Sequence, residues 1–178
     1  MELAGTGYVI LGMLSLDAKT GYEIKQVVDR STRFFWAASY GQIYPELRRL
    51  EQAGLVTGRP APRGGRRRKE YELTAEGRRV LEGWLATPPE MPELRDESLL
   101  KLFFADAVPR DQALEQLRMR RLGHEQFLAL LQSIADRPGE DPPFVDLVLR
   151  YGIEYAQWNI DWCKRNERRL ARAKGKAA

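Results

Sequence analysis

Residues 39–56 read SYGQIYPELRRLEQAGLV. Ser39 with Gln42 three positions later is the Ser-x-x-Gln form of a capping box, which predicts that a helix begins here. Ile43, Leu47 and Leu50 follow as an apolar stripe at helical spacing, and Gly54 supplies the stop before the chain turns extended. Yet the first turn is polar and aromatic, with Tyr40, Gln42 and Tyr44 where strong helix formers would suit an ordinary surface helix. Pro45 removes one backbone hydrogen bond and crowds the carbonyl of Gly41, so the helix is kinked or tightened there, or else begins near Pro45 itself. Such a helix turns its second half to a core and its first turn to something polar.

The flanking sequence predicts the rest of a small domain. GYVILGMLSL places Val9, Ile10, Met13, Leu14 and Leu16 at helical spacing, and TGYEIKQVVDR does the same with Tyr22, Ile24, Val27 and Val28. Beyond Gly54, LVTGRPAP and RRKEYEL are extended segments on either side of Gly64-Gly65, which is a hairpin signal. Pro60 and Pro62 require the first strand to be an edge strand or to end early. Tyr71 and Leu73 are assigned to the core, and Thr74 caps a further helix whose Val80, Leu81, Trp84 and Leu85 close it.

The 178 residues, 43% hydrophobic and 30% charged, have the composition of a soluble globular protein with one good core or two small ones. No stretch approaches the ~18 uninterrupted apolar residues of a membrane span, and GYVILGML lacks the flanks of a signal peptide, so the expectation is a cytoplasmic protein with no membrane partner. Cys163 and His124 are the single cysteine and histidine, which leaves neither a disulfide nor a transition-metal cluster to expect within one chain. Net charge is +4, and the excess lies in the first half: residues 1–87 carry 14 Lys/Arg against 10 Asp/Glu, and residues 88–178 carry 15 against 15. RPAPRGGRRRK, residues 59–69, holds six basic side chains and no acid. That local positive field points to phosphate as partner.

Three short helices and a basic hairpin describe a winged helix-turn-helix, in which the third helix enters the major groove and the wing lies along the flanking backbone. Contact comes mostly from the N-terminal residues of that helix, here Ser39, Tyr40, Gln42, Ile43 and Tyr44, with Arg48 and Arg49 one to two turns further along. Gln42 is placed to read a base, and Tyr40 and Tyr44 to reach phosphate or a thymine methyl. The wing candidates are Arg63, Gly64, Gly65, Arg66, Arg67, Arg68 and Lys69, as phosphate contacts.

YVILGMLS, TGYEIKQVVDR, YGQIYPELRRLEQAGLV and RRKEYELTAEGRRVLEGWL together resemble the PadR family of bacterial transcriptional regulators. Ile43-Tyr44-Pro45 with Leu47, Leu50, Glu51 and Gly54-Leu55, then Tyr71, Leu73, Thr74 and Gly77, carry the resemblance most specifically. It implies a winged-helix repressor, with Tyr40, Gln42 and Tyr44 at recognition-helix positions and Arg66, Arg67, Arg68 and Lys69 in the wing. DESLLKLFFAD and NIDWCKRNERRL are similar to the longer subgroup, whose separate all-helical C-terminal domain dimerises.

ATPPEMPEL, residues 86–94, interrupts the helical patterns and marks a linker, with a DNA-binding domain expected at 1–87 and a helical dimerisation or effector domain at 88–178. ESLLKLFFADAV, residues 97–108, is apolar on nearly every side and reads as buried. Two longer helices follow, at roughly 110–135 and 143–172. In the last, Val148, Tyr151, Tyr155, Trp158 and Trp162 form one stripe and Leu149, Ile153, Ala156, Ile160 and Cys163 another; either could be the subunit contact. The aromatic stripe reads as core or interface, with stacking of a small aromatic effector as the alternative. His124, in register with Leu117, Arg121, Leu128 and Leu131, reads as an ordinary helix residue.

The expected fold is therefore mainly α, with an N-terminal winged helix-turn-helix and an all-α C-terminal domain. The expected function is a homodimeric repressor on a double-stranded, inverted-repeat operator, without cofactor. An enzyme is disfavoured, because no Ser/His/Asp or Cys/His arrangement and no phosphate loop is visible. A winged-helix module that binds protein or nucleic acid without sequence preference is the rival reading.

Overall fold

A computed structural model describes residues 3–61, 69–91, 93–139 and 141–172. The chain divides into two compact units, Met1–Met91 and Pro92–Ala178. That division falls inside the proline-rich break, a few residues beyond the 87/88 boundary expected from composition.

In the first unit the order is α1 (Gly5–Ser15), α2 (Gly21–Arg30), a 3-10 turn at Thr32–Phe34, α3 (Tyr40–Gln52), β1 (Val56–Pro60), β2 (Lys69–Leu73) and α4 (Ala75–Leu85). The starts of α2, α3 and α4 have a chemical cause. Thr20 caps α2 through its hydroxyl, which accepts from the Glu23 N–H at 3.1 Å, while the Glu23 carboxylate accepts from the Thr20 N–H at 3.2 Å. Ser39 starts α3, which runs unbroken through Pro45, so the alternative start near Pro45 is not adopted. Its end is a Schellman motif: Gly54 takes φ of +69°, its N–H reaches the Glu51 carbonyl at 3.0 Å, and Leu55 N–H reaches that of Leu50 at 2.9 Å.

β1 and β2 pair antiparallel, from Val56 opposite Leu73 to Pro60 opposite Lys69. Pro60 is tolerated because it closes a strand of a two-stranded ribbon, where both strands are edges. The Thr74 hydroxyl accepts from Gly77 N–H at 3.0 Å and donates to the Gly54 carbonyl at 2.8 Å, so one side chain starts α4 and ties it to the end of α3. Gly77 sits so close that a Cβ there would lie 2.0 Å from the Leu55 carbonyl oxygen.

Ile10 and Leu11 of α1, Ile24 and Val28 of α2, Ile43, Leu47 and Leu50 of α3, with Val56, Tyr71 and Leu81, form the core of this unit. Burying each of these aliphatic side chains contributes about 1.5–3 kcal/mol. Leu73 and Val80 pack against it half-buried. Trp84 and Leu85, expected to close this core, are instead 43% and 67% exposed. Trp84 turns outward and stacks on Tyr8 of α1, ring centroids 4.5 Å apart and planes within 10°.

The second unit holds α5 (Glu97–Phe103), a 3-10 turn at Ala105–Ala107, α6 (Arg110–Ala135) and α7 (Pro143–Arg172). Arg121 meets Glu167, His124 meets Tyr155, and Leu131 meets Gly152, so α6 and α7 run antiparallel. Their seam buries Leu117 and Leu131 against Ala156, Ile160 and Cys163.

A polar knot crosses this seam. Arg120, almost wholly buried, donates to Asp96 Oδ2 at 2.7 Å, to the Ser98 hydroxyl, and to Asn159 Oδ1 at 2.9 Å. Asp96 is also the N-cap of α5, accepting from Leu99 N–H at 3.0 Å. Burial alone would raise its carboxyl, but the Ser98 hydroxyl, the Arg120 guanidinium and the Leu99 N–H hold it down at about 2.

The 97–108 segment departs from expectation. None of α5 is buried, and Leu100, Phe103 and Phe104 are exposed, Phe103 to 80%. A segment apolar on all sides must be covered, but hydropathy cannot distinguish cover by its own chain from cover by another.

Candidate nucleic-acid interface

The exposed side of α3 is built from its first turn onward. Both the backbone N–H and the hydroxyl of Ser39 donate to Gln42 Oε1, at 2.9 and 3.0 Å. The Gln42 carbonyl oxygen is thereby committed to the cap, and its Nε2 remains as the outward donor. Tyr40 and Tyr44, one turn apart, stack at 6.1 Å with planes 18° apart, and both are exposed. The Tyr44 ring approaches α2 closely at Gly21, where a Cβ would come within 2.7 Å of it.

Arg48 continues this row, exposed and without an ion pair among the described residues. Arg49 lies beside it, its Nε 3.8 Å from Glu46 Oε1. The polar first turn, with free backbone N–H groups at a helix N-terminus, suits an anionic partner.

Ile43 is a correction. Sequence placed it among the outward-facing residues of the first turn, but it is 0% exposed in the core. The helical repeat explains this: Ile43 lies one turn before Leu47 on the inward stripe, so its side chain cannot reach the surface that Tyr40 and Tyr44 form.

Lys69, expected among the wing's phosphate contacts, is exposed but already engaged within the chain. Its ammonium donates to both carboxylate oxygens of Glu51, each at 3.1 Å. Gly58 makes room for this contact, since a Cβ there would lie 2.6 Å from Glu51 Oε1. Lys69 thus fastens β2 to the last turn of α3. Arg63, Gly64, Gly65, Arg66, Arg67 and Arg68 lie outside the described residues.

Sequence reasoning missed the outward row of α2. Tyr22 and Gln26 are exposed and linked, the Gln26 amide donating to the Tyr22 hydroxyl at 3.0 Å. Lys25 reaches over the Tyr40 ring, 5.5 Å from its centroid. Spacing on α2 alone shows that Tyr22 and Gln26 share a face. It does not show that Lys25 meets a tyrosine on another helix.

On α7 the two stripes differ in burial within the chain. Ala156, Ile160 and Cys163 are buried against α6, whereas Val148, Tyr151, Tyr155 and Trp158 are exposed, Tyr151 to 70%, with Trp162 half-buried. Tyr151 stacks on Tyr155 at 6.3 Å and Trp158 on Trp162 at 6.4 Å. His124 is not a bare surface residue; it meets the Tyr155 ring edge-on at 5.7 Å. Burial, then the neighbouring Arg120 charge, lowers its pKa against the opposing pull of Asp96. Among the described residues no cluster of His, Cys, Asp or Glu is placed to hold a metal ion, and no helix is long and apolar enough to cross a membrane.

Residues 10–83 match the transcriptional regulator PadR-like family, and residues 94–171 match the virulence activator alpha C-terminal family. The negative transcriptional regulator PadR of Bacillus subtilis (strain 168) is 31% identical over 166 residues, covering 87% of this chain and 91% of that protein. The chain belongs to the PadR-like family of transcriptional regulators. The fold of this PadR-like chain is also that of solved relatives. Bacillus subtilis PadR in complex with operator DNA superposes with a TM-score of 0.82 at 29% identity, over 92% of this chain and 98% of the other. The same protein in complex with p-coumaric acid gives 0.78 at 27% identity, over 96% of this chain and 99% of the other.

Proposed function

We propose that this PadR-like chain is a cytoplasmic homodimeric repressor that occupies an inverted-repeat operator and performs no catalytic step. The exposed side of α3 carries the reading: Tyr40, Tyr44 and Arg48 form one row at four-residue spacing and Gln42 is exposed on the opposite flank of the same helix, on a fold whose B. subtilis relative was solved on operator DNA. In this reading α3 lies in the major groove, with Gln42 Nε2 as a base-directed donor and the tyrosine pair and Arg48 on phosphate or thymine methyl. Arg63 and Arg66 to Arg68, with Gly64-Gly65 at the hairpin turn, supply the wing's phosphate contacts, and Lys69 acts as its brace. Half-sites then lie about one helical turn apart, ~34–36 Å.

The subunit contact in this reading is the exposed apolar surface of α5 with the outward row of α7. Its aromatic side chains, Tyr151, Tyr155, Trp158 and Trp162, are also the candidates for stacking a small aromatic acid, the class of ligand in the second complex of the B. subtilis relative. Binding there would release the operator by favouring a subunit arrangement that no longer fits both half-sites.

Selection of bound fragments from a random duplex pool at ~150 mM salt tests the function directly. An inverted repeat bound ~10³-fold or more tighter than a scrambled duplex supports it. Absence of an enriched motif, with equal affinity for both duplexes, rejects it in favour of a sequence-blind module.

A further inference from the structure

On that DNA-reading assignment, the side chains of α3 need a fixed geometry before they meet a base or phosphate. Two aromatic rings at a helix N-terminus have rotamer freedom of their own, and the structure restrains them from α2. Gly21 forms the floor under Tyr44, because only a residue without Cβ admits the ring at that distance. Tyr44 in turn stacks on Tyr40. Lys25, one turn after Gly21 on α2, completes the arrangement, with its ammonium 5.5 Å from the centroid of the Tyr40 ring.

The placement of Lys25 is itself determined. Its side chain is only 16% exposed, so the aliphatic stem is largely held by packing, and its ammonium is ion-paired with Asp29 one turn along α2. A lysine serving only as a phosphate contact gains from an outward, uncompensated charge. This one is drawn back by a carboxylate and held over an aromatic face.

We propose that Lys25 is a positioning residue for sequence recognition: the Asp29–Lys25 pair clamps Tyr40, and through the stack Tyr44, in the orientation that α3 presents to DNA. The cation acts through the tyrosine rather than by neutralising a phosphate. Its loss therefore weakens the preferred sequence selectively, because an unclamped ring still makes non-specific contacts.

The test uses the full chain, the duplex that wild type selects from a random pool, and a scrambled duplex of equal length, titrated by anisotropy from 50 to 200 mM salt. Lys25→Gln is expected to lower discrimination about tenfold, through the selected duplex alone, with the log–log salt slope unchanged. Lys25→Arg, which keeps a cation over the ring, restores most of the discrimination, and Lys25→Gln adds no further loss in a Tyr40→Leu background. Equal loss on both duplexes with a slope smaller by ~0.9 would show an ordinary phosphate contact and overturn the proposal. Unchanged discrimination would overturn it as well. Should Lys25→Gln fail to fold, Lys25→Met keeps the buried stem, deletes only the charge, and carries the same expectation. If wild type itself selects no sequence, the DNA-reading assignment has failed rather than the clamp.

Discussion

Ile43 is fully buried, while Tyr44, one residue later, is exposed, its ring meeting α2 at Gly21. Substituting them should therefore give opposite results. Ile43→Ala empties a closed site in the core and is expected to cost about 2–4 kcal/mol in urea unfolding. Tyr44→Ala should leave the unfolding midpoint nearly in place and change the preferred DNA sequence. Gln42 separates two roles held by one side chain. Gln42→Glu retains the oxygen that accepts from Ser39 and adds a charge favourable at a helix N-terminus, so thermal stability holds or rises. It also removes the outward donor and repels phosphate, so operator affinity should fall at least tenfold in the same preparation. Asp96 provides a pH prediction. Its carboxyl is held at about 2 against an ordinary 3.8, so the unfolded chain takes up the proton more readily than the folded one. The stabilisation, about 2 kcal/mol, is complete above pH ~4 and is lost as pH falls toward 2. Asp96→Asn should show the deficit at neutral pH and converge with wild type in acid, as measured by the unfolding midpoint of the second unit. Residue roles were legible from sequence where a spacing rule governs them, as for Ser39 and Gln42. The error at Ile43 came from treating a helical first turn as though every residue in it faces one way.

At the scale of elements, α6 and α7 were readable almost to the residue, because each carries a long apolar periodicity and Pro138, Pro142 and Pro143 interrupt the helical pattern between them. Thr74 and Gly54 were equally plain, since a cap and a left-handed stop each demand particular side chains. What stayed hidden was which partner covers an apolar surface. Trp84, Leu85 and α5 carry the hydropathy of buried elements and are exposed within one chain. The wing shows the same limit in its charges. Six basic residues between 59 and 69 read alike in sequence. Yet Lys69 is fastened to Glu51, a residue eighteen positions away that no local pattern connects to it. This contact predicts that Glu51→Gln loosens β2 from α3. Because it also frees a lysine, non-specific DNA affinity should rise slightly in fluorescence anisotropy while discrimination falls.

For the whole molecule, the exposed apolar surface of α5 and α7 is large for a chain that exists alone, and concealing it requires a second copy in the reading proposed here. A lysine at Trp158 together with one at Phe103 should convert a dimer to monomers in sedimentation equilibrium while leaving α6–α7 helicity intact. Operator affinity should fall with it, because each subunit would then hold a half-site alone. The positions of the four tryptophans give the chain a further property. Trp36 and Trp84 belong to the first unit and Trp158 and Trp162 to the second, so the chain carries two separate intrinsic fluorophore pairs. With Trp36 and Trp84 replaced by phenylalanine, all remaining indole emission arises from α7. With the other pair replaced, it arises from the unit that contains α3. Compared side by side, the two variants report whether an added molecule arrives at the helices of the second unit or at the winged fold of the first.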